Sequence, residues 1–268
     1  MNTTSRSSVR VPIRYAASDK PPGVVYTLAQ TESTSCFEAH ETEIHNARLA
    51  TESFSLDTSG FTLTKHNTRM TDITDQAQID GVYTQEVQAL VSALTGATRV
   101  HVFHKLARYE GGEKLGKRGP AGSAHVDYTG DTYLTWARQE LGEREGPKLL
   151  RGRWASINVW RGMGAVERMP LAVVDGRTLQ DEHFLSVPIH NRPGDPTPLV
   201  GRNLMFHPSQ RWYYFPDMQP DEVLLFTQYA SDPARPQRVA HSAFDDPGSR
   251  AGAPPRVSFE CRTFAFFD

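Results

Sequence analysis

Val257-Ser-Phe-Glu-Cys-Arg-Thr-Phe-Ala-Phe-Phe267, close to the C-terminus, is rich in β-branched and aromatic residues and contains neither Gly nor Pro. That composition reads as a strand, and it is the last of a series. Ala155-Ser-Ile-Asn-Val-Trp160, Leu171-Ala-Val-Val174, Arg211-Trp-Tyr-Tyr-Phe215 and Glu222-Val-Leu-Leu-Phe226 precede it, separated by Pro, Gly and Asp. Many short strands with such punctuation imply a sandwich or barrel. The expected fold class is mainly β with flanking helices, a jelly-roll core with helical support.

Helical signals lie outward from this core, in the N-terminal half. From Thr84 the segment Thr-Gln-Glu-Val-Gln-Ala-Leu-Val-Ser-Ala-Leu-Thr-Gly-Ala places Val87, Leu90, Val91 and Leu94 at helical spacing. Thr84 is the expected N-cap and Gly96 the terminator. Thr98 to Leu106 reads as a strand, and a second helix is expected over Asp131 to Leu141. The first eighteen residues are rich in Ser and Arg with no acidic residue. That is the composition of an organelle transit peptide, but a disordered tail over residues 1–20 is the simpler reading. No repeat or long linker marks a boundary, so residues 21–268 are expected to form one domain: a mixed α/β N-terminal support and a C-terminal β core.

Composition narrows the function. The chain has 268 residues, 38% hydrophobic and 22% charged, with a net charge of -2. No basic patch points to nucleic acid, and no apolar run approaches the roughly 20 residues of a membrane span. Cys36 and Cys261 stand alone, which excludes a thiolate zinc site and makes a reducing, cytoplasmic setting the default. A small-molecule partner is the expectation that remains.

Within Gly122-Ser-Ala-His-Val-Asp-Tyr-Thr129, His125 and Asp127 are two residues apart. On a strand such a pair shares one face and can reach one cation. With ten His and thirty-one acidic residues, about one His-x-Asp/Glu triplet arises by chance, so the context must supply the weight. Two His and one carboxylate on an iron leave three positions open, two for a bidentate co-substrate and one for O2. The third ligand has several candidates: His241, His207, His190, His101 and His104. His241 is followed by Arg256 and Ser258 on one strand face, a cation and a hydroxyl suited to the far carboxylate of a dicarboxylate co-substrate. Arg262 has the same parity and is the rival clamp. Asn158, sharing a face with Ser156 and Trp160, is a secondary candidate for a hydrogen bond to the co-substrate. The run Arg211 to Phe215 could offer an aromatic platform, but alternation splits its rings between two faces, at least one of them core.

Several blocks in fixed order carry a family resemblance: Ile157-Asn-Val-Trp-Arg161, Met169-Pro-Leu-Ala-Val-Val-Asp175, Arg211-Trp-Tyr-Tyr-Phe-Pro-Asp-Met218, Pro220-Asp-Glu-Val-Leu-Leu225, His241-Ser-Ala-Phe244 and Pro255-Arg-Val-Ser258. Together they resemble the CmcJ/NvfI-like proteins, relatives of the cephem methoxylase subunit and of gibberellin-type desaturases, over roughly Gly60 to the C-terminus. The resemblance implies a double-stranded β-helix of cupin-like form and a non-haem Fe(II)/2-oxoglutarate-dependent oxygenase. By the same carry-over, His125, Asp127 and His241 hold Fe(II), and Arg256 with Ser258 holds 2-oxoglutarate, with O2 as the other co-substrate. Hydroxylation, desaturation and oxidative cyclisation of a specialised metabolite or amino-acid-derived compound all fit, and a homodimer stays open. Two positions depart from the pattern: Gly162 stands where Pro commonly follows Trp-Arg, and Ala230 where an Asp often follows Tyr. A jelly-roll binding protein without catalysis and a cupin-type metalloenzyme independent of 2-oxoglutarate are the competing readings.

Overall fold

Each of the β-rich runs folds as a strand in the computed structural model, which describes residues 6–195 and 199–268. The strands are β1 (Ser8–Ala16), β2 (Val25–Tyr26), β3 (Phe37–Asn46), β4 (Phe61–Lys65), β5 (Arg99–Tyr109), β6 (His125–Val126) and β7 (Arg153–Gly162), followed by β8 (Leu171–Val174), β9 (Phe184–His190), β10 (Leu199–Leu204), β11 (Trp212–Tyr214), β12 (Glu222–Ala230), β13 (His241–Ala243) and β14 (Val257–Phe267). Nine of them form one sheet in the order β1-β3-β11-β8-β13-β6-β10-β9-β2, and five form a second in the order β4-β12-β7-β14-β5.

Strand alternation explains how the sheets are covered. On β12, Val223 and Leu225 join Ile157, Val159, Phe259 and Cys261 on the outer face of the five-stranded sheet. Leu224 and Phe226 point the other way and meet Val173, Tyr213 and Leu171 of the nine-stranded sheet. Burying a Leu or Phe of this kind contributes about 2 kcal/mol each, which is why both parities of these strands are apolar. The aromatic run divides in the same manner, Trp212 and Tyr214 into one cluster and Tyr213 and Phe215 into another. Both of its faces are core.

Helix α1 (Gln76–Gln78) passes through a π-helical stretch, Ile79–Tyr83, into α2 (Thr84–Thr95), which packs Val87 and Val91 on the outer face of the five-stranded sheet. The expected cap at Thr84 is corrected by this continuity: the helical segment starts after Asp75, whose carboxylate accepts from the Ala77 and Gln78 amides. Thr84 Oγ1 donates to the Ile79 carbonyl instead, at 2.8 Å. Gly96 ends the helix at φ 72°, as its position predicts. Helices α3 (Gly130–Leu141) and α4 (Glu145–Leu150) cover the other end of β5, β7 and β14 through Tyr133, Trp154, Phe264 and Phe266.

The expected tail over residues 1–20 is also corrected. Residues 1–5 lie outside the described part, but β1 pairs antiparallel with β3 along its whole length. Val9, Val11, Ile13 and Tyr15 are buried on one face of it while Arg10, Pro12 and Arg14 are exposed. That period of two is a half-buried strand. Gly162 has a steric reason: a Cβ there would lie 2.4 Å from Val166 Cγ2 and 2.7 Å from the Gly164 carbonyl. Cys36 and Cys261 are both free. Among the described residues no helix is long and apolar enough to cross a membrane.

Candidate metal centre

β6 is two residues long, yet it lies between β10 and β13, and its His125 stands directly opposite His241 in antiparallel register. Opposed residues project to one side of the sheet, so the two imidazoles meet, ring centroids 4.3 Å apart. Asp127, two residues on from His125, completes the group: one ligand atom from each of the three lies within 4.8 Å of the other two. Ligands about 2 Å from one ion can be at most about 4 Å apart. A cation would therefore need to draw them in by less than about 1 Å.

Protonation suits the same purpose. His125 Nδ1 lies 2.8 Å from the Ser123 carbonyl, which can only accept, so Nδ1 carries the proton and the Nε2 lone pair is left for a metal. His241 Nδ1 is buried with no hydrogen-bond partner, an atom whose desolvation a metal bond would offset. Burial pushes His241 down to about 3, with His125 adding to the effect, and burial likewise lowers His125. Both rings are neutral, as metal ligation requires. Burial works against the ionised form of Asp127, but the Arg262 guanidinium holds it below the usual carboxylate range. Two neutral imidazoles and one carboxylate are a donor set that fits Fe(II).

The five-stranded sheet orients that carboxylate. Asn158 on β7 donates to Asp127 Oδ2 at 2.6 Å, and Arg262 on β14 reaches Oδ1 at 2.7 Å. Gln228 on β12 accepts from the Asp127 amide at 2.9 Å and donates to the Val239 carbonyl at 2.8 Å. Arg262 also pairs with Glu260, 2.8 Å away, and Glu260 with Arg108, 3.1 Å away, so charges alternate along the inner face. Tyr128, left unassigned by the sequence, accepts from Arg262.

Arg256 and Ser258 sit further along the inner face of this sheet, both buried. The Arg256 guanidinium lies 5.5 Å over the Trp160 ring and donates to the Met169 carbonyl, while its Nε has no partner. Ser258 Oγ is buried and equally unpartnered. Burial, reinforced by Arg108, pushes Arg256 down to about 9. A cavity of about 350 Å³ opens on His125 and Asp127 of the metal group, with Arg262, Tyr128, His104 and Trp136 also in its wall and His241 behind it. Arg256, Ser258 and Asn158 lie outside this lining, and so do the rings of the aromatic run.

The other candidate third ligands are placed elsewhere. His207 stacks on His183 at 4.4 Å, His190 contacts Tyr26 and the Asp195 carbonyl, and His101 faces Glu140. His104 is in the cavity wall, stacked on Trp136. Glu260 and Gln228 escaped the sequence reading. Glu260 shares parity with Arg256, Ser258 and Arg262, a signal that could have found it; Gln228 has no such signal, since its role depends on the register between the sheets.

A family described as an oxidoreductase/YMDC permease-like domain matches residues 6–266. The chain is similar to the Fe(II)/2-oxoglutarate-dependent dioxygenase nvfI of Aspergillus novofumigatus, 33% identical over 88% of this chain and 87% of that protein. It is 32% identical to the alpha-ketoglutarate-dependent dioxygenase phiK of a fungal species, over 82% of each. With the hydroxylase/desaturase CTB9 of Cercospora beticola it shares 31% identity over 87% of this chain and 78% of that one. A solved structure of the iron and alpha-ketoglutarate-dependent endoperoxidase NvfI superposes with a TM-score of 0.87 at 30% identity, covering 98% of this chain and 99% of that one.

Proposed function

The chain belongs to the oxidoreductase/YMDC permease-like domain family and, within it, to the Fe(II)/2-oxoglutarate-dependent dioxygenases, and we propose that His125, Asp127 and His241 hold its iron. It is an oxidoreductase that uses Fe(II), 2-oxoglutarate and O2 on a jelly-roll core, and a role in specialised-metabolite biosynthesis is the setting we propose for it. The observation that carries the ligand assignment is the cross-strand pair of His125 and His241 with Asp127 beside it.

Bound iron supplies the redox chemistry, in which oxidation of 2-oxoglutarate to succinate and CO2 is coupled to removal of hydrogen from the substrate. The protein's part is placement. Arg256 and Ser258 receive the far carboxylate of 2-oxoglutarate; their unpartnered Nε and Oγ support this role, and a guanidinium fork matches a carboxylate. Asn158 and Arg262 fix both oxygens of Asp127, so that the carboxylate presents one geometry to the metal. Trp136 and Tyr128 line the cavity and give its substrate side an aromatic wall. The substrate is a small molecule, and whether it is hydroxylated, desaturated or cyclised depends on which of its atoms the cavity holds toward the centre. Relatives named hydroxylase/desaturase and endoperoxidase fit that dependence on position. The free Cys36 and Cys261 support a reducing, cytoplasmic setting.

The test is anaerobic addition of Fe(II) and then 2-oxoglutarate. The expected result is the weak visible charge-transfer band of the chelate, followed in air by succinate release even without a substrate. Absence of both would return the chain to the class of jelly-roll binding proteins, and turnover without 2-oxoglutarate would make it a cupin-type metalloenzyme.

A further inference from the structure

We propose that the cavity beside the metal group takes a substrate bearing a carboxylate, and that Arg118 is the cation that receives it. This rests on the iron and 2-oxoglutarate reading above and adds the charge and chemical class of the substrate.

The cavity wall is rich in one sign of charge. Arg14, Arg108, Arg118, Arg202 and Arg262 line it, against the single carboxylate of Asp127. Three of these guanidiniums are matched: Arg108 by Glu260 at 3.1 Å, Arg262 by Asp127 at 2.7 Å and Arg202 by Asp181 at 3.0 Å. Arg14 and Arg118 have no carboxylate partner among the described residues. Arg14 is exposed at the rim, 5.0 Å over the Phe37 ring. Arg118 is half-buried and held in place: its carbonyl accepts from the Tyr109 amide, and its Nη2 donates to Asn191 Oδ1, both at 2.8 Å. Thr27 Oγ1 donates to the same Asn191 oxygen at 2.9 Å. Nε and Nη1 of Arg118 make no hydrogen bond among the described residues.

Joint binding of Fe(II) and 2-oxoglutarate does not remove this surplus, because the two bring opposite charges of equal size. A half-buried guanidinium on the wall of a partly enclosed cavity is stabilised more strongly by an anion as the ligand displaces the water around it. A carboxylate matches its fork, and Asn191 and Thr27 keep that fork from folding away. The rest of the wall, with Tyr26, Ile189, Leu199 and Trp136, suits an apolar body. The ligand class is an apolar monocarboxylic acid.

The experiment uses the full chain loaded anaerobically with Fe(II) and 2-oxoglutarate. A panel of aryl- and cycloalkyl-alkanoic acids, each beside its own methyl ester, is scored by thermal stabilisation and then, in air, by stimulation of succinate release. The acids should bind better than their esters. Arg118→Met should weaken acid binding roughly tenfold or more and abolish the preference, while Arg118→Lys should retain part of it. Esters binding as well as acids, or an acid preference that survives in Arg118→Met, would overturn the proposal. So would loss of the 2-oxoglutarate chelate band in Arg118→Met, which would assign Arg118 to the co-substrate instead. Failure of the wild-type protein to form that band is a different outcome: it sinks the oxygenase reading, and with it the ground for this one.

Discussion

Before any metal is considered, both oxygens of the Asp127 carboxylate are held, by Asn158 and by Arg262, and the second of these contacts is an ion pair buried on both sides. Removing one partner of such a pair is costly, about 3–5 kcal/mol, because the other charge is left in a dry site. Arg256 is different: its side chain meets a carbonyl and an aromatic ring rather than an acid. The two arginines therefore separate by experiment. Arg256→Ala should raise the KM for 2-oxoglutarate roughly tenfold or more while Fe(II) is still bound. Arg262→Ala should lower stability and Fe(II) retention first. The reverse pattern, with 2-oxoglutarate affinity intact in Arg256→Ala and abolished in Arg262→Ala, would show that Arg262 is the clamp.

At the scale of elements, sequence legibility follows the locality of the cause. β8 and β14 have the bounds that composition predicts, because a buried strand is recorded in its own residues. His125 and Asp127 were legible for the same reason, being two residues apart on one face. His241 was one of five candidates by its own residues and was singled out only by the residues that follow it and by the family resemblance, because its place opposite His125 depends on β6 pairing with β13 across more than a hundred residues of chain. β1 was obscured by composition: its Arg and Ser residues suggested a tail, while the alternation of Val9, Val11, Ile13 and Tyr15 recorded the strand. The start of the long helix was missed because a π-helical stretch interrupts the pattern upstream of Thr84. Asp75 is its cap, so Asp75→Ala should cost about 1 kcal/mol, seen as a lower urea midpoint, with the chelate band unchanged. An unaltered midpoint would place the helix start elsewhere.

For the whole molecule, the interior that serves oxidation also sets an acid limit on stability. Burial, aided by Arg262, lowers His104 from its ordinary 6.5 to about 3, and its Nδ1 is buried without a partner. The unfolded chain therefore takes up this proton first as pH falls. Stability associated with the neutral ring is complete above about pH 6.5 and is lost between there and about pH 3. His104→Gln should flatten the fall of the urea midpoint over that window; an unchanged slope would remove His104 from the account. The same two-sheet frame holds the metal group together: two ligands come from the nine-stranded sheet, and the third is tied to three strands of the other. The central claim is that iron sits at this junction, and anomalous diffraction at the iron edge from anaerobic crystals containing 2-oxoglutarate tests it most directly. The account predicts one peak bonded to a nitrogen of His125, a nitrogen of His241 and a carboxylate oxygen of Asp127, with the far end of 2-oxoglutarate on Arg256 and Ser258. A peak at other residues, or none in protein that turns over 2-oxoglutarate, would contradict it.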